Sequence, residues 1–184
     1  VWVGNFQAGL DYSLYQNGLF RTYAYPPLFN SANLSIRSFI SRGQEKVIGS
    51  RDGLFYINEA TGMVKSFVKP VLTSDLILTI SFYQGEYYIG TYGGGMMVLN
   101  PETLSLKYFS QSDTELFQKG HIFCVKPDTK GNLWIGTSQG LFNYNGQTKQ
   151  IKHFTSANSQ LLEGNVYAVS YTHLRAHETV LDLV

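Results

Sequence analysis

Four side chains in this sequence have the chemistry that sugar binding requires. Arg51, Asp52, Tyr92 and Gln139 each lie just after a short apolar segment that ends in Gly-Ser or Gly-Thr. An aromatic ring offers a sugar an apolar face, and charged or amide groups can hydrogen-bond to its hydroxyls. The sequence therefore predicts a ligand-binding surface at these four residues; the alternative is that they belong to ordinary solvated loops.

The histidines give only weak evidence for a metal site. His173 and His177 are four residues apart, so on a helix they could place two metal ligands on one face. No third ligand is evident from the sequence, and we therefore predict no metal site and no cofactor. We expect His121 in a loop and His153 on the surface of an outer strand.

The single cysteine and the glycine run have structural interpretations. Cys124 lies within an apolar strand pattern, which favours a small buried side chain over a nucleophile. One cysteine cannot form an internal disulfide. Gly93-Gly94-Gly95 is not followed by a helix pattern or by a Lys-Ser/Thr pair, so it indicates a corner between strands, not a phosphate-binding loop.

The composition favours a β protein whose strands are buried on both faces. Charged residues make up 15% of the 184 residues, aromatic residues another 15%, and 18 residues are glycine. The net charge is +1 and no Lys/Arg run occurs, so the charge pattern expected of a nucleic-acid-binding surface is missing. No apolar stretch approaches the ~18 residues of a membrane span, so we expect no membrane contact by this segment.

A repeat positions the candidate ligand residues. The repeat is clearest at Leu133-Trp134-Ile135-Gly136, and its glycines, Gly4, Gly49, Gly90 and Gly136, are spaced 45, 41 and 46 residues apart. A period of this length with four short strands per unit is typical of propeller blades. The sequence predicts an all-β fold: a partial β-propeller of about three complete four-stranded blades, with partial blades at both ends.

The repeat also sets the expected boundaries. We predict a partial blade at about 1–35, complete blades at 36–76, 77–121 and 122–165, and the inner strand of a further partial blade at 166–169. The sequence begins within a strand pattern and without Met, so we interpret it as an internal segment of a longer protein. Gly85 should supply the positive φ of a hairpin turn, and Asn145-Gly146 predicts a two-residue turn.

Within a blade, the repeated residues are expected to serve packing. Strand alternation places Trp134 and Gly136 on one face of the sheet and Leu133 and Ile135 on the other. A glycine on that face would allow a neighbouring blade to approach closely. The residues with this structural role are Gly4, Gly49, Gly90, Trp134 and Gly136, with Gly140 at the end of a corner.

The last fifteen residues depart from the repeat. The spacing predicts the next repeat glycine at 179 or 180, but Thr179 and Val180 stand there. Residues 170–184 closely resemble a translated sequencing adapter, and we interpret them as a non-native tail.

The repeat resembles that of the two-component regulator propeller family. The residues that carry the resemblance are Asp128, Gly131, Leu133 to Thr137, Gly140, Leu141 and Tyr144. The other units match less well, because Val47 and Tyr88 replace the tryptophan and the turn aspartate is missing from both. The resemblance covers about residues 1–169.

The resemblance implies an extracytoplasmic, or periplasmic, sensor module of a hybrid two-component histidine kinase that recognises oligosaccharides. Its partners would be an oligosaccharide or other small-molecule ligand and the remaining blades of the parent chain. The segment itself would not be an enzyme, since the kinase would lie outside these residues. The alternatives are a protein-interaction scaffold and a propeller lyase or hydrolase. The last would need a convergent acid, base or metal set, and the sequence shows none.

Overall fold

The computed structural model of the chain describes residues 2–5, 9–13, 20–22, 35–109, 116–161 and 164–170. Three four-stranded antiparallel sheets follow one another along the chain. Each is formed by consecutive strands in a simple meander, and we call these sheets blades. Together they make part of a β-propeller, as the repeat predicted.

The blades have the following strands. Blade 1 contains β4 (Ile36–Arg42), β5 (Glu45–Ser50), β6 (Leu54–Asn58) and β7 (Met63–Phe67). Blade 2 contains β8 (Ile77–Tyr83), β9 (Glu86–Thr91), β10 (Met96–Leu99) and β11 (Leu106–Tyr108). Blade 3 contains β12 (Ile122–Pro127), β13 (Asn132–Thr137), β14 (Gly140–Asn145) and β15 (Ile151–Phe154).

A three-stranded sheet precedes blade 1. Its strands β1 (Trp2–Asn5), β2 (Gly9–Ser13) and β3 (Phe20–Thr22) pair in chain order. Gly4 lies in β1 opposite Leu10. β1 contacts β4 in the way that β5 contacts β8 and β9 contacts β12. The sheet therefore occupies the position of a preceding blade, and β1 corresponds to a second strand.

Apolar cores fill the spaces between successive blades. The core between blades 1 and 2 is formed by Val47, Leu54, Tyr56, Phe67, Leu72, Ile77, Ile80, Tyr87, Ile89, Met97 and Leu99. The core between blades 2 and 3 is formed by Tyr83, Tyr88, Met96, Val98, Phe109, Phe117, Ile122, Val125, Leu133, Ile135, Phe142 and Tyr144. Neighbouring residues of one strand, such as Tyr87 and Tyr88, enter different cores. Blade 2 is therefore apolar on both faces, which explains why its strands do not alternate between apolar and polar residues.

The repeat glycines lie where the next inner strand comes closest. A Cβ atom on Gly49 would be within 2.9 Å of the Ile77 Cβ, and one on Gly90 would be 2.7 Å from the Ile122 Cγ2. A Cβ atom on Gly136 would meet the Val166 carbonyl and the Cys124 thiol. Each glycine therefore leaves room for the first residues of the following unit.

Polar contacts also join the blades. The Glu45 carboxylate accepts hydrogen bonds from the hydroxyls of Tyr56 in its own blade and Tyr87 in the next, both at 2.7 Å. Burial and then the Glu45 contact raise the pKa of Tyr56 to about 12 and also raise the pKa of Tyr87. Tyr83 of blade 2 donates its hydroxyl to the Gly131 carbonyl and accepts the Gly146 N–H, at 2.6 and 2.9 Å. Tyrosines thus fix the outer turns of one blade to those of its neighbour.

Of the two turns predicted at the outer ends of the blades, the one at Gly85 is formed and the one at Asn145-Gly146 is not. Gly85 has a φ of 85° in the turn between β8 and β9, as predicted. Asn145-Gly146, however, does not form a two-residue turn, because β15 begins only at Ile151. The Asn145 side chain accepts the N–H groups of Gln147 and Thr148, while the Gly146 N–H is used by Tyr83. These contacts hold the loop in a longer, asparagine-capped form.

The strand predicted at 166–169 is not formed. Residues 164–170 have no strand assignment, although Val166 packs on Gly136 and donates its N–H to the Thr137 carbonyl. An inner strand is defined by pairing with the second strand of its own blade. No second strand follows among the described residues, and His173, His177 and residues 171–184 of the proposed tail lie outside them.

The connection between blades 2 and 3 contains a short helix that the sequence analysis did not predict. This helix, α1 (Leu116–Lys119), buries Phe117 against Phe109 and Phe142 at ring distances of 5.2 and 5.1 Å. None of the described helical residues forms a segment long and apolar enough to cross a membrane.

Candidate functional site

The corners between second and third strands share one construction. A buried hydroxyl ends each second strand: Ser50, Thr91 and Thr137. It donates to the carbonyl of Gly53, Gly95 or Gly140, at 3.1, 2.9 and 2.9 Å. It also accepts a backbone N–H from Asp52, Gly94 or Gln139, at 2.9, 3.1 and 3.0 Å. The repeated Gly-Ser/Thr pair signals this role, which the sequence analysis did not assign.

A second backbone contact fixes the corners to the start of each blade. Arg51, Tyr92 and Ser138 donate their N–H groups to the residues just before the inner strands: Ser35, Leu76 and His121, at 3.1, 2.9 and 3.2 Å. These three corner residues are therefore equivalent. Gln139 stands one residue later, at the position of Asp52.

The predicted ligand residues lie at the same end of their blades. Arg51, Asp52 and Gln139 are exposed, and Tyr92 is 50% exposed. They belong to three different blades. Among the described residues, no hydrogen bond, ion pair or ring contact joins one blade's candidate to another's. The candidate residues of different blades therefore do not contact one another. Each corner has its own set of neighbouring residues.

Of the four predicted ligand residues, Tyr92 is the one that belongs to a row of aromatic rings. Its ring stacks on His121 with the centroids 3.9 Å apart and the planes at 20°. His121 in turn lies 6.1 Å from Phe123, and Phe123 lies 4.5 Å from Tyr167. Four rings from two blades and the following segment therefore form a continuous row.

Gln139 lies in a smaller cleft beside the corner of blade 3. The cleft has a volume of about 250 Å³ and is formed with Thr155, Ser156, Leu161 and Gly164, among others. His153 donates its Nε2–H to the Gln139 carbonyl at 2.7 Å and stacks on Phe142 at 3.9 Å. His153 is exposed on β15, as expected, and its contacts fix the corner.

A larger cleft of about 550 Å³ lies at the corner of blade 2. It is lined by Thr73, Gly93, Gly94, Tyr108, Gln118 and Lys119. Thr73 donates its hydroxyl to the Gly94 carbonyl at 2.6 Å, and Ser74 donates to that of Tyr92 at 2.8 Å. The glycine run is thus a corner held against the preceding connection, and β10 follows it, as the sequence analysis expected of a corner.

Cys124 is a buried side chain in the inner strand of blade 3. Cys124 is 8% exposed and faces the Val166 carbonyl, and burial raises the pKa of its thiol. A protonated, buried thiol is a poor nucleophile. Within the described ranges, no group of three or more His, Cys, Asp and Glu side chains could hold a metal ion.

Comparison with known proteins relates these features to a family. The profile of the family described as two component regulator propeller matches residues 117–139. This range contains β12, the Asp128 turn, β13 and the corner at Gln139. No curated protein sequence matches the chain.

Solved structures of similar fold include extracellular domains of signalling proteins. One is from a B. thetaiotaomicron protein, BT3049, described as a hybrid two component system: 28% identity, TM-score 0.61, with 82% of this chain and 21% of that chain covered. Another, BT4673 from the same organism, carries the same description: 20% identity, TM-score 0.66, with 83% and 20% covered. The computationally designed Ika8 protein shares the fold at 15% identity and TM-score 0.62, with 92% and 48% covered.

The chain spans about a fifth of the two extracellular domains that it matches. The match covers β12 and β13 of blade 3, and the same hydroxyl corner and repeat glycine recur in the two blades before it. The chain is therefore a β-propeller segment in which residues 117–139 match the two component regulator propeller family.

Proposed function

We propose that the chain is part of the extracytoplasmic sensor of a two-component system and that it contributes to recognition of an oligosaccharide. The observation that carries the proposal is the family match at residues 117–139, which ends in a candidate ligand corner. The descriptions of BT3049 and BT4673 as extracellular domains support the location. We propose that the parent protein also contains the rest of the ectodomain and a kinase.

The arrangement of the corners supports a role in ligand binding. Three blades present Arg51, Tyr92 and Gln139 at one end, each exposed, on a backbone held by buried hydroxyls. A rigid scaffold that presents polar and aromatic loop residues is the usual design of a binding face. Guanidinium, amide and phenol groups together can contact both the hydroxyls and the ring faces of a sugar.

The local chemistry gives less support to catalysis. Ser50, Thr91 and Thr137 are buried hydroxyls in the corners of the proposed site, and each is already engaged in two hydrogen bonds of its corner. A nucleophilic hydroxyl needs a general base within reach. Their observed partners are backbone groups, so we assign these residues a structural role and propose binding without turnover.

A glycan array tests the proposal with the 184-residue chain. We expect binding to one class of immobilised oligosaccharides and weaker binding by the Arg51→Ala and Gln139→Ala variants. Lys130→Ala is the matched control, because Lys130 is exposed in the turn at the opposite end of β13. A chain that binds no glycan but recovers a protein partner in pull-down would instead indicate an interaction scaffold. Release of sugar products from a polysaccharide would indicate an enzyme.

A further inference from the structure

The inner strands of all three blades carry a bulge at the same place. Pairing between first and second strands is interrupted between Ile36 and Ser38, between Ile77 and Thr79, and between Ile122 and Cys124. The residues left unpaired are Arg37, Leu78 and Phe123. Bulges redirect side chains and occur often beside functional sites.

The third bulge residue belongs to the aromatic row described above. We call Tyr92, His121, Phe123 and Tyr167 the inner-rim row. Tyr167 follows Val166, which packs on Gly136 as Ile122 packs on Gly90. Tyr167 therefore has the position in its unit that Phe123 has in blade 3. The row combines two such positions with a corner residue of blade 2.

The two rings at the ends of the inner-rim row are exposed to solvent, and the two rings in its middle are half-buried. Tyr92 is 50% exposed and Tyr167 is 64% exposed, whereas His121 and Phe123 are half-buried. His121 stacks on Tyr92 at 3.9 Å, and Phe123 packs against Tyr167 at 4.5 Å with the ring planes tilted by 39°. Each tyrosine is thus held by a neighbour and still presents apolar ring surface to solvent. A large exposed aromatic surface of this kind is informative, unlike scattered exposed residues.

Polar groups lie beside this surface. Asn165 donates its side-chain N–H to the Tyr167 hydroxyl at 2.8 Å and is itself exposed. The corner residue Ser138 follows β13 and is held to His121 through its N–H. Apolar ring surface with a few hydrogen-bonding groups is the composition of a small-ligand site.

We propose that the inner-rim row is the sugar-contacting platform of the chain. The pyranose rings of an oligosaccharide stack their C–H faces on Tyr92 and Tyr167, and the hydroxyls at the ring edges bond to the neighbouring polar groups. This assignment rests on the proposed function, because it names the site at which the oligosaccharide binds. It places the platform at the bulged inner strands, not in the larger cleft at Tyr108.

Biosensor titration of the intact 184-residue chain tests the assignment. The probes are cellohexaose, xylohexaose, mannohexaose and a hexamer of galacturonic acid. We expect at least one probe to bind, and Tyr92→Ala and Tyr167→Ala each to weaken it by about tenfold. Tyr92→Phe should bind as the unmodified chain does, because it keeps the ring. Equal melting temperatures of the variants would confirm that the fold is intact.

Tyr108→Ala is the matched control, since Tyr108 is 51% exposed and lines the larger cleft. Binding that is lost in Tyr108→Ala and unchanged in both row variants would overturn the platform and leave the proposed function standing. If none of the four probes binds the chain, both the platform and oligosaccharide recognition are overturned.

Discussion

At the residue scale, Asp128 shows why the best-conforming repeat contains an aspartate before its strand. Its carboxylate accepts the N–H groups of Lys130 and Asn132 at 2.9 and 2.8 Å, the Asn132 side chain at 2.9 Å and the Trp134 indole N–H at 3.0 Å. Partial burial alone would raise the pKa of Asp128, but these hydrogen bonds outweigh it and hold the pKa below its usual value. One side chain therefore fixes both the turn and the tryptophan.

Replacing Asp128 should destabilise the chain. Asp128→Ala leaves four donors without their acceptor, and we expect the free energy of unfolding to fall by roughly 1.5–3 kcal/mol at neutral pH. Denaturant titration monitored by tryptophan fluorescence measures this loss. Thr129→Ala, an exposed change in the same turn, is the control and should have little effect.

The effect of Asp128 should also depend on pH. Because its pKa is lowered on folding, the stabilisation is complete above the usual value of 3.8 and is lost as the pH falls through the lower folded value. The difference between Asp128→Ala and the unmodified chain should therefore shrink under acid conditions. A difference that stays constant through the acid range would contradict an electrostatic role for the carboxylate.

Lys149 occupies a backbone conformation that suits glycine better. The third-to-fourth-strand loops of the three blades place Gly62, Leu104 and Lys149 at equivalent positions, with φ values of 68°, 52° and 60°. Each stands four residues after an asparagine that caps its loop: Asn58, Asn100 or Asn145. Only blade 1 has glycine there, so the other two loops contain a left-handed residue that bears a Cβ atom.

Lys149→Gly should therefore stabilise the chain. Removing the left-handed strain is partly offset by the greater freedom of glycine when unfolded, which leaves a gain of about 0.5–1 kcal/mol. Gln147→Gly is the matched control, because Gln147 is exposed in the same loop without a positive φ, and it should destabilise. Thermal unfolding measures both variants, and equal losses from the two would refute the conformational argument.

At the scale of the elements, the sequence predicted those features that repeat in sequence. The partial propeller of four-stranded antiparallel blades could be predicted from the spacing of Gly49, Gly90 and Gly136. The bulges at Arg37, Leu78 and Phe123 could not, because a bulge depends on pairing across strands and these three residues share no side-chain type. The inner-rim row was missed for the same reason, since its four rings come into line only through packing between blades.

Gly136→Val tests the role assigned to the packing glycines. The added side chain would meet the Val166 carbonyl and the Cys124 thiol, and the contact with the next unit must open to accommodate it. We expect a loss of roughly 1–3 kcal/mol in the free energy of unfolding. Thr129→Val, a β-branched residue at an exposed position, is the control. An unchanged melting temperature for Gly136→Val would overturn the assignment of the glycine to the contact face.

At the scale of the whole molecule, the blades depend on one another. Each interblade core takes side chains from both neighbours, and tyrosines such as Tyr83 and Tyr87 bond across the boundary. Repeat units of this kind gain most of their stability from nearest-neighbour contacts. A blade face is therefore complete only when the following blade covers it.

The tryptophan of blade 3 indicates how the chain should behave on its own. Trp134 is half-buried, stacked on Phe154 at 6.0 Å, whereas Val47 and Tyr88 at the equivalent positions are 0% and 5% exposed beneath the next blade. Apolar surface that a neighbouring blade would cover promotes association. We expect the 184-residue chain to self-associate with rising concentration, as measured by sedimentation velocity. Adding a following blade, which the proposed parent protein would supply, should reduce this association and shift the Trp134 fluorescence to the blue. If the chain stays monomeric at all concentrations and unfolds in a single cooperative transition, the face of blade 3 that contains Trp134 needs no covering blade.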